Sequence, residues 1–247
     1  MSTIFGIRAI LEAIEAGKQI QKIYLDQGLN APLIKKLEYT AQQAGIKISY
    51  VPEQKIAHKA KHKNHQGAIA EISAVEFKDL SALEKKLSVS NDGIFLLLDG
   101  ITDVRNLGAI IRTAECVGAL GIIMAKSGNA PINADAIKTS AGAAFHIDLF
   151  RVDHLKDAIF LMQQSELRLY AATEKSHQTV YETIFEQRAG IIMGSEDKGI
   201  HPAILKLCDE RIKLPIYGKT ESLNVSVACG AVLYEVVRQR LLEKTGD

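Results

Sequence analysis

The chain has 247 residues, of which 47% are hydrophobic, enough for one large core or two modest ones, and its formal charge of +1 neither demands nor rules out a polyanionic partner. Cys116, Cys208 and Cys229 are far apart and form no C-x-x-C pair, which excludes a disulfide framework or a zinc cluster as the organising element. No run reaches the ~18 apolar residues of a membrane span, and MSTIFGIRAILEAIEAG interrupts its apolar pattern with Arg8 and two glutamates, unlike a signal peptide, so a soluble, cytoplasmic protein is expected.

The charge is uneven. Residues 1–75 carry ten Lys/Arg against six Asp/Glu, a balance of +4, and the remainder carries −3. In that first segment IRAILEAIEAG and PLIKKLEYTAQQAG have apolar residues at helical spacing, whereas KIYL, IKISYV and GAIAEIS are rich in strand formers. This predicts a small α/β domain over 1–75. It includes KIAHKAKHKNHQG, residues 55–67, a run of four lysines and three histidines with no acid. Lys59, Lys61, Lys63 and His65 are its candidate nucleic-acid contacts, against the alternative of a merely solvated basic face. His58 and His62 share a helical face but lack a third ligand, so no metal is expected. The polar segment 76–92, ending in the turn-forming Asn91-Asp92-Gly93, reads as a linker.

From residue 93 the pattern changes. IFLLLDG, GIIMA, LRLYAAT, GIIMG and RIKLP are short apolar runs separated by the helical candidates NLGAIIRTAECVGA, DHLKDAIFLMQQ and HPAILKLCD, and VSVACGAVLYEVVRQRLLEK predicts a closing helix of about twenty residues. Strands apolar on both faces alternating with helices imply a parallel sheet covered by helices, over 93–247.

Three stretches of this second domain carry chemistry. DGITDVRNLGAIIR, 99–112, takes a strand into a helix at the edge where open parallel sheets bind ligands. Asn106 is there either as a helix cap or as a functional amide, and Arg112 either pairs with Glu115 or meets an anion. GIIMGSEDKGI, 190–200, follows a strand with Gly194, Glu196 and Gly199, where the backbone can be approached closely. In YGKTESLNVSVACG, 217–230, Gly218-Lys219-Thr220 imitates the end of a phosphate loop, but Lys213 stands where its first glycine belongs. Asn224 is placed to cap the last helix, and Ser226 and Gly230 form a small-residue seam on one face of it.

In order and spacing, DGITDVRNLGAIIRTAE, IIMGSEDKGI and LPIYGKTESLNVSVACGAVLYE resemble the three motifs of the SpoU (TrmH-like) RNA 2′-O-ribose methyltransferases of the SPOUT superfamily, and the leading segment is similar to the small RNA-binding domain that precedes them in many members. The layout is closest to the branch that methylates a guanosine of 23S rRNA, with tRNA as the alternative substrate and a noncatalytic RNA-binding protein as the rival reading. The resemblance implies a deep trefoil knot, S-adenosylmethionine as cofactor and a homodimer formed through the C-terminal helix. By motif, Thr173, Gly194, Leu214, Ile216 and Leu223 would form the cofactor pocket, and Asn106, Arg112, Glu196, Ser222 and Asn224 the catalytic set. Members of the family often have proline after the second aspartate of the first motif; here Val104 follows Asp103, which puts the rigidity of that loop in question.

Overall fold

The computed structural model describes residues 3–15, 17–18, 20–29, 31–60, 65–72 and 75–245. The chain divides into two compact units, the first made of residues 1–76 with 132–134 and the second of the remainder.

The first unit is built from β1 (Thr3–Phe5), α1 (Ile7–Glu15), β2 (Ile20–Asp26), α2 (Pro32–Gln43), β3 (Ile48–Val51), α3 (Glu53–Ala60) and β4 (Ala68–Ile72). Its strands form one mixed sheet in the order β1-β4-β2-β3, in which only the β2/β3 pair is parallel. Alternation along β2 decides the two faces. Ile23 and Leu25 are buried with Ile10, Leu37 and Ala41 under α1 and α2. On the opposite face Tyr24 packs with Ile56 and Ala60 of α3.

The second unit begins earlier than the sequence pattern implied. Segment 76–92, expected to be a linker, contains α4 (Leu80–Val89), which Asp79 caps by accepting from the Ala82 N–H at 2.9 Å. Leu83 and Leu87, four apart, are buried in the core of this unit, so a helix whose exposed face is mostly Lys, Glu and Ser reads as linker by composition alone. There follow β5 (Gly93–Asp99), α5 (Val104–Cys116), β6 (Gly121–Ala125), α6 (Ala134–Thr139), β7 (Leu149–Val152), α7 (Leu155–Gln164), β8 (Arg168–Ala172), β9 (Arg188–Gly194), α8 (Pro202–Leu205), β10 (Glu210–Ile212) and α9 (Val225–Thr245). The six strands make one fully parallel sheet, in the order β10-β8-β9-β5-β6-β7. β5 and β9 are central, and their residues 94–98 and 189–194 are all buried, as a sheet covered on both faces requires. β7 carries no apolar run long enough to announce itself, and HPAILKLCD yields only the four-residue α8.

Register places the functional edge. Asp99 pairs with Gly194, Met193 with Ala172, and Ala172 with Ile212, so the carboxyl ends of β5, β9, β8 and β10 lie side by side. Both the first and the second motif leave the sheet at this edge.

Candidate functional site

Each loop at the carboxyl edge is fastened by a specific side chain. After β5, Gly100 turns the chain with φ +83, and the Gly100 and Ile101 N–H groups both donate to Asn129 Oδ1, at 3.2 and 3.0 Å. α5 then starts at Val104, two residues before the position expected. Its cap is Asp103, whose carboxylate accepts from the Arg105 and Asn106 N–H groups, both at 2.8 Å. The valine in place of proline therefore stands at the first helical position, where the cap fixes the turn that proline would have preset. Asn106 is relieved of capping, and its side chain is free for other work.

After β9 the constraint is steric. A Cβ on Gly194 would lie 2.2 Å from the Gly199 carbonyl carbon and from the Ile200 nitrogen. The loop folds back through a pair of backbone hydrogen bonds between Ser195 and Gly199, with Gly199 at φ +65. Asp99 ties the far end of this loop to β5 by accepting from the His201 N–H at 2.7 Å. Glu196 stands in the middle, exposed.

The third motif closes the site. Asn224 Oδ1 caps α9, accepting from the Ser226 N–H at 2.9 Å, from the Val227 N–H at 3.4 Å and from the Ser226 hydroxyl at 2.6 Å. Its Nδ2 donates to Asn106 Oδ1 at 3.0 Å, and Asn106 Nδ2 donates to Glu196 Oε1 at 2.7 Å. Three motifs from distant parts of the chain thus meet in one directed run of hydrogen bonds, Ser226 to Asn224 to Asn106 to Glu196, which terminates on a carboxylate. Direction matters because each amide has one donor end and one acceptor end, and this arrangement uses both.

A cavity of about 580 Å³ opens beside this run. Thr173, Gly194, Leu214, Ile216 and Leu223 line it, together with Glu196, Ser222 and Asn224. Ser222 makes no side-chain hydrogen bond among the described residues, and its hydroxyl is available to a ligand. Arg112 stands apart. It is exposed on α5, does not line the cavity, and forms no ion pair with Glu115 or with any other described acid. The salt-bridge alternative is therefore not realised. Among the described residues there is no group of three or more His, Cys, Asp or Glu that could hold a metal ion.

Three further sequence readings meet the structure here. Gly218, Lys219 and Thr220 lie in an exposed stretch that reaches no helix before Val225, unlike a phosphate loop. The Ser226/Gly230 seam, on the helix through which the resemblance implies a homodimer, faces this chain's own α5: a Cβ on Gly230 would lie 3.8 Å from Thr113 Cγ2. Of the basic run, Lys59 is ion-paired to Glu71 at 2.8 Å and His65 Nδ1 accepts from the Gly67 N–H at 3.1 Å, while Lys61 and Lys63 lie outside the described residues. Asp99, Asp103, Asn129 and Ser226, which hold the loops and the cap, were missed as site residues. Only Asp103 carried a usable signal, as a capping residue just before a helical pattern.

Residues 93–234 match the family model described as the SpoU rRNA Methylase family. The chain belongs to the SpoU rRNA methylase family. Residues 3–78 match a second model, RNA 2′-O ribose methyltransferase substrate binding. The 23S rRNA (guanosine-2′-O-)-methyltransferase RlmB of Escherichia coli K12 is 31% identical over 238 residues, covering 96% of this chain and 98% of that one. An uncharacterized tRNA/rRNA methyltransferase of Synechocystis is also 31% identical, over 97% of this chain, which spans 63% of its length. Among solved structures, the SpoU methyltransferase AviRb of Streptomyces viridochromogenes superimposes with a TM-score of 0.63 at 26% identity, covering 98% of this chain and 90% of that one. A second structure of AviRb, in complex with the cofactor AdoMet, shares the fold with a TM-score of 0.62 at 24% identity, over 97% of this chain and 90% of that one.

Proposed function

We propose that this SpoU-family chain transfers a methyl group from S-adenosylmethionine to a ribose 2′-hydroxyl of RNA, and that the acceptor is a guanosine of 23S rRNA. The observation that carries the reading is the common cavity: the five residues assigned to the cofactor by motif line it alongside Glu196, Ser222 and Asn224. Its volume lies within the range of cofactor sites, and its lining suits a ligand with one flat apolar part and one zwitterionic part. Ile216, Leu214 and Leu223 offer the apolar surface, and Thr173 and the backbone around Gly194 offer hydrogen bonds. When bound, the cofactor supplies an electrophilic methyl group on a sulfonium.

The chain's own residues must align a poor nucleophile and steady the charge that grows on it. Ser222, with its free hydroxyl at the cavity, hydrogen-bonds the ribose. Asn224 and Asn106 are positioning residues: their amides spend themselves on the α9 cap and on each other, and hold Glu196 in place. Arg112, exposed on α5 outside the cavity, binds the neighbouring RNA phosphate and so holds the ribose in place. A guanidinium stays protonated at neutral pH and does not serve as the base.

The reading extends to the assembly. Val227, Tyr234 and Leu241 recur every seven residues on α9 and are exposed at 57%, 56% and 57%. We assign this stripe, in place of the small-residue seam, to a homodimer contact, and infer the family's trefoil knot in the C-terminal part and a cytoplasmic location. Among the described residues, no helix is long and apolar enough to cross a membrane.

The test is transfer of labelled methyl from S-adenosylmethionine to unmodified 23S rRNA and to bulk tRNA, followed by mapping of the modified ribose. One 2′-O-methylguanosine in 23S rRNA is expected. Transfer to tRNA alone, or no transfer with cofactor bound, refutes the reading.

A further inference from the structure

The basic run that stands out in the sequence is only part of what the first unit displays. Lys55 and Lys59 are four apart on α3, which lays Ile56 and Ala60 on one face of the four-stranded sheet. Two lysines distant in sequence come up on the same face. Lys22 of β2 lies opposite Glu71 of β4. On its other side the Ile23 N–H donates to the Lys47 carbonyl at 3.0 Å, and Ile23 is in register with Ile48, which sets Lys47 beside Lys22 on that face.

Tyr24 organises the group. The Lys59 and Lys22 ammonium nitrogens lie 4.5 and 4.8 Å from its ring centroid, and its hydroxyl donates to Glu71 Oε2 at 3.4 Å. Glu71 Oε1 accepts from Lys59 at 2.8 Å. Glu71 thus binds one of the four lysines directly and stands opposite a second, Lys22, in the sheet. The crowding is felt electrostatically: burial and then Lys47 push the Lys22 pKa down, Glu71 pulls it up, and Lys59 and Lys55 lower it by smaller amounts. Four like charges on one face, two of them held against an aromatic ring and only one of them ion-paired among the described residues, form a positive surface that a polyanion complements.

We propose that this α3-covered face of the sheet takes the RNA phosphate backbone, with Lys22, Lys47, Lys55 and Lys59 as the phosphate contacts and Tyr24 and Glu71 as the frame that aims two of them. The proposal rests on the reading of RNA as the substrate, and it selects RNA because this unit matches an RNA substrate-binding model. It moves the contact surface from a single run of sequence to a convergence of β2, β3 and α3. The contacts are to phosphate, so they position the RNA and carry no base preference.

The experiment uses the full chain and in vitro transcribed, unmodified 23S rRNA, with binding followed by fluorescence anisotropy across a salt series. The triple variant Lys22→Gln, Lys47→Gln, Lys55→Gln is compared with a control triple, Lys18→Gln, Lys35→Gln, Lys36→Gln, which removes the same charge from the α1/α2 side. The patch triple is expected to bind about 10- to 100-fold more weakly at low salt, and to lower the slope of log affinity against log salt by about 2 to 3, while the control shifts it by less than about 1. Equal effects of the two triples, or none from either, overturn the proposal. Glu71→Gln provides an opposite sign: removal of the one carboxylate is expected to raise affinity several-fold, and no gain in a variant with an unchanged melting curve counts against the patch. Turnover at saturating RNA and the affinity for S-adenosylmethionine alone stay at wild-type values in the patch triple, whose KM for RNA rises. A wild-type chain that binds RNA through the patch yet transfers no methyl removes the proposed function and leaves the patch standing. A patch triple whose KM for RNA stays at the wild-type value removes the patch alone.

Discussion

Asn224 does two jobs with two ends of one amide, and they can be separated by a single atom. Its Oδ1 caps α9, and its Nδ2 donates to Asn106 Oδ1 at 3.0 Å. In Asn224→Asp the capping acceptor survives and gains a charge at a helix N-terminus, worth about 0.3–1 kcal/mol, against the loss of one neutral hydrogen bond of about 0.5–1.5 kcal/mol. The two nearly cancel, so the melting temperature is expected within about 2 °C of wild type. Chemistry behaves differently. A carboxylate oxygen now faces Asn106 Oδ1, the Asn106 amide loses its anchor, and Glu196, which that amide holds at 2.7 Å, is no longer fixed. On the proposed mechanism a misplacement of this kind costs roughly 10- to 100-fold in kcat, about 1.4–2.7 kcal/mol, with little change in KM for RNA. Asn224→Ala removes both functions, and adds a lost cap of about 1 kcal/mol, or about 2–4 °C. The assay is labelled methyl transfer under saturating conditions, paired with thermal denaturation. If Asn224→Asp keeps kcat within about threefold of wild type, the amide run is not needed for turnover and the positioning argument fails.

Gly194→Ala forces a Cβ to 2.2 Å from backbone atoms of Gly199 and Ile200; a loss of at least about 3 kcal/mol in denaturant unfolding, together with loss of S-adenosylmethionine binding, is expected. Arg112→Lys, at a site with no ion pair among the described residues, is expected to melt like wild type and bind S-adenosylmethionine normally while losing most of its methyl transfer at neutral pH; near-full turnover refutes bidentate phosphate recognition. Tyr234→Glu, in the exposed stripe of α9, is expected to shift the mass measured by light scattering from dimer to monomer. Burial pushes the Cys229 and Cys208 thiols up to about 12, so at pH 8 only the exposed Cys116 should react rapidly with a thiol reagent, and all three should react in denaturant.

The strands of the second unit were legible because they are buried on both faces and therefore apolar without interruption, as in GIFLLLD and RAGIIMG. β7, four residues including Arg151, lacks that signature, and α4 exposes so much polar surface that only its two buried leucines betray it. At the site, Asn106 and Asn224 could be singled out from their place at helix starts. Which of them caps could not, since Asp103 three residues ahead of Asn106 is as good a cap, and the choice is settled by where the first helical N–H groups point. Asn129 and Asp99 were illegible for a different reason. Each fastens a loop distant in sequence, and no local pattern marks an acceptor whose donors lie 28 or 102 positions away. The same holds for Lys22 and Lys47, which join the α3 lysines only through strand register.

The position of β9 between β8 and β5 also sets a hazard in biosynthesis. β5 acquires β6 on one flank soon after emerging, but its other flank stays unpaired until residues 188–194 arrive, about half the length of the unit later. Throughout that interval a strand reading IFLLL presents a free edge of hydrogen-bonding groups with no charge to discourage a stray partner. A nascent chain stalled before β9 is thus the form of this protein most prone to aggregate, and the one most in need of a chaperone.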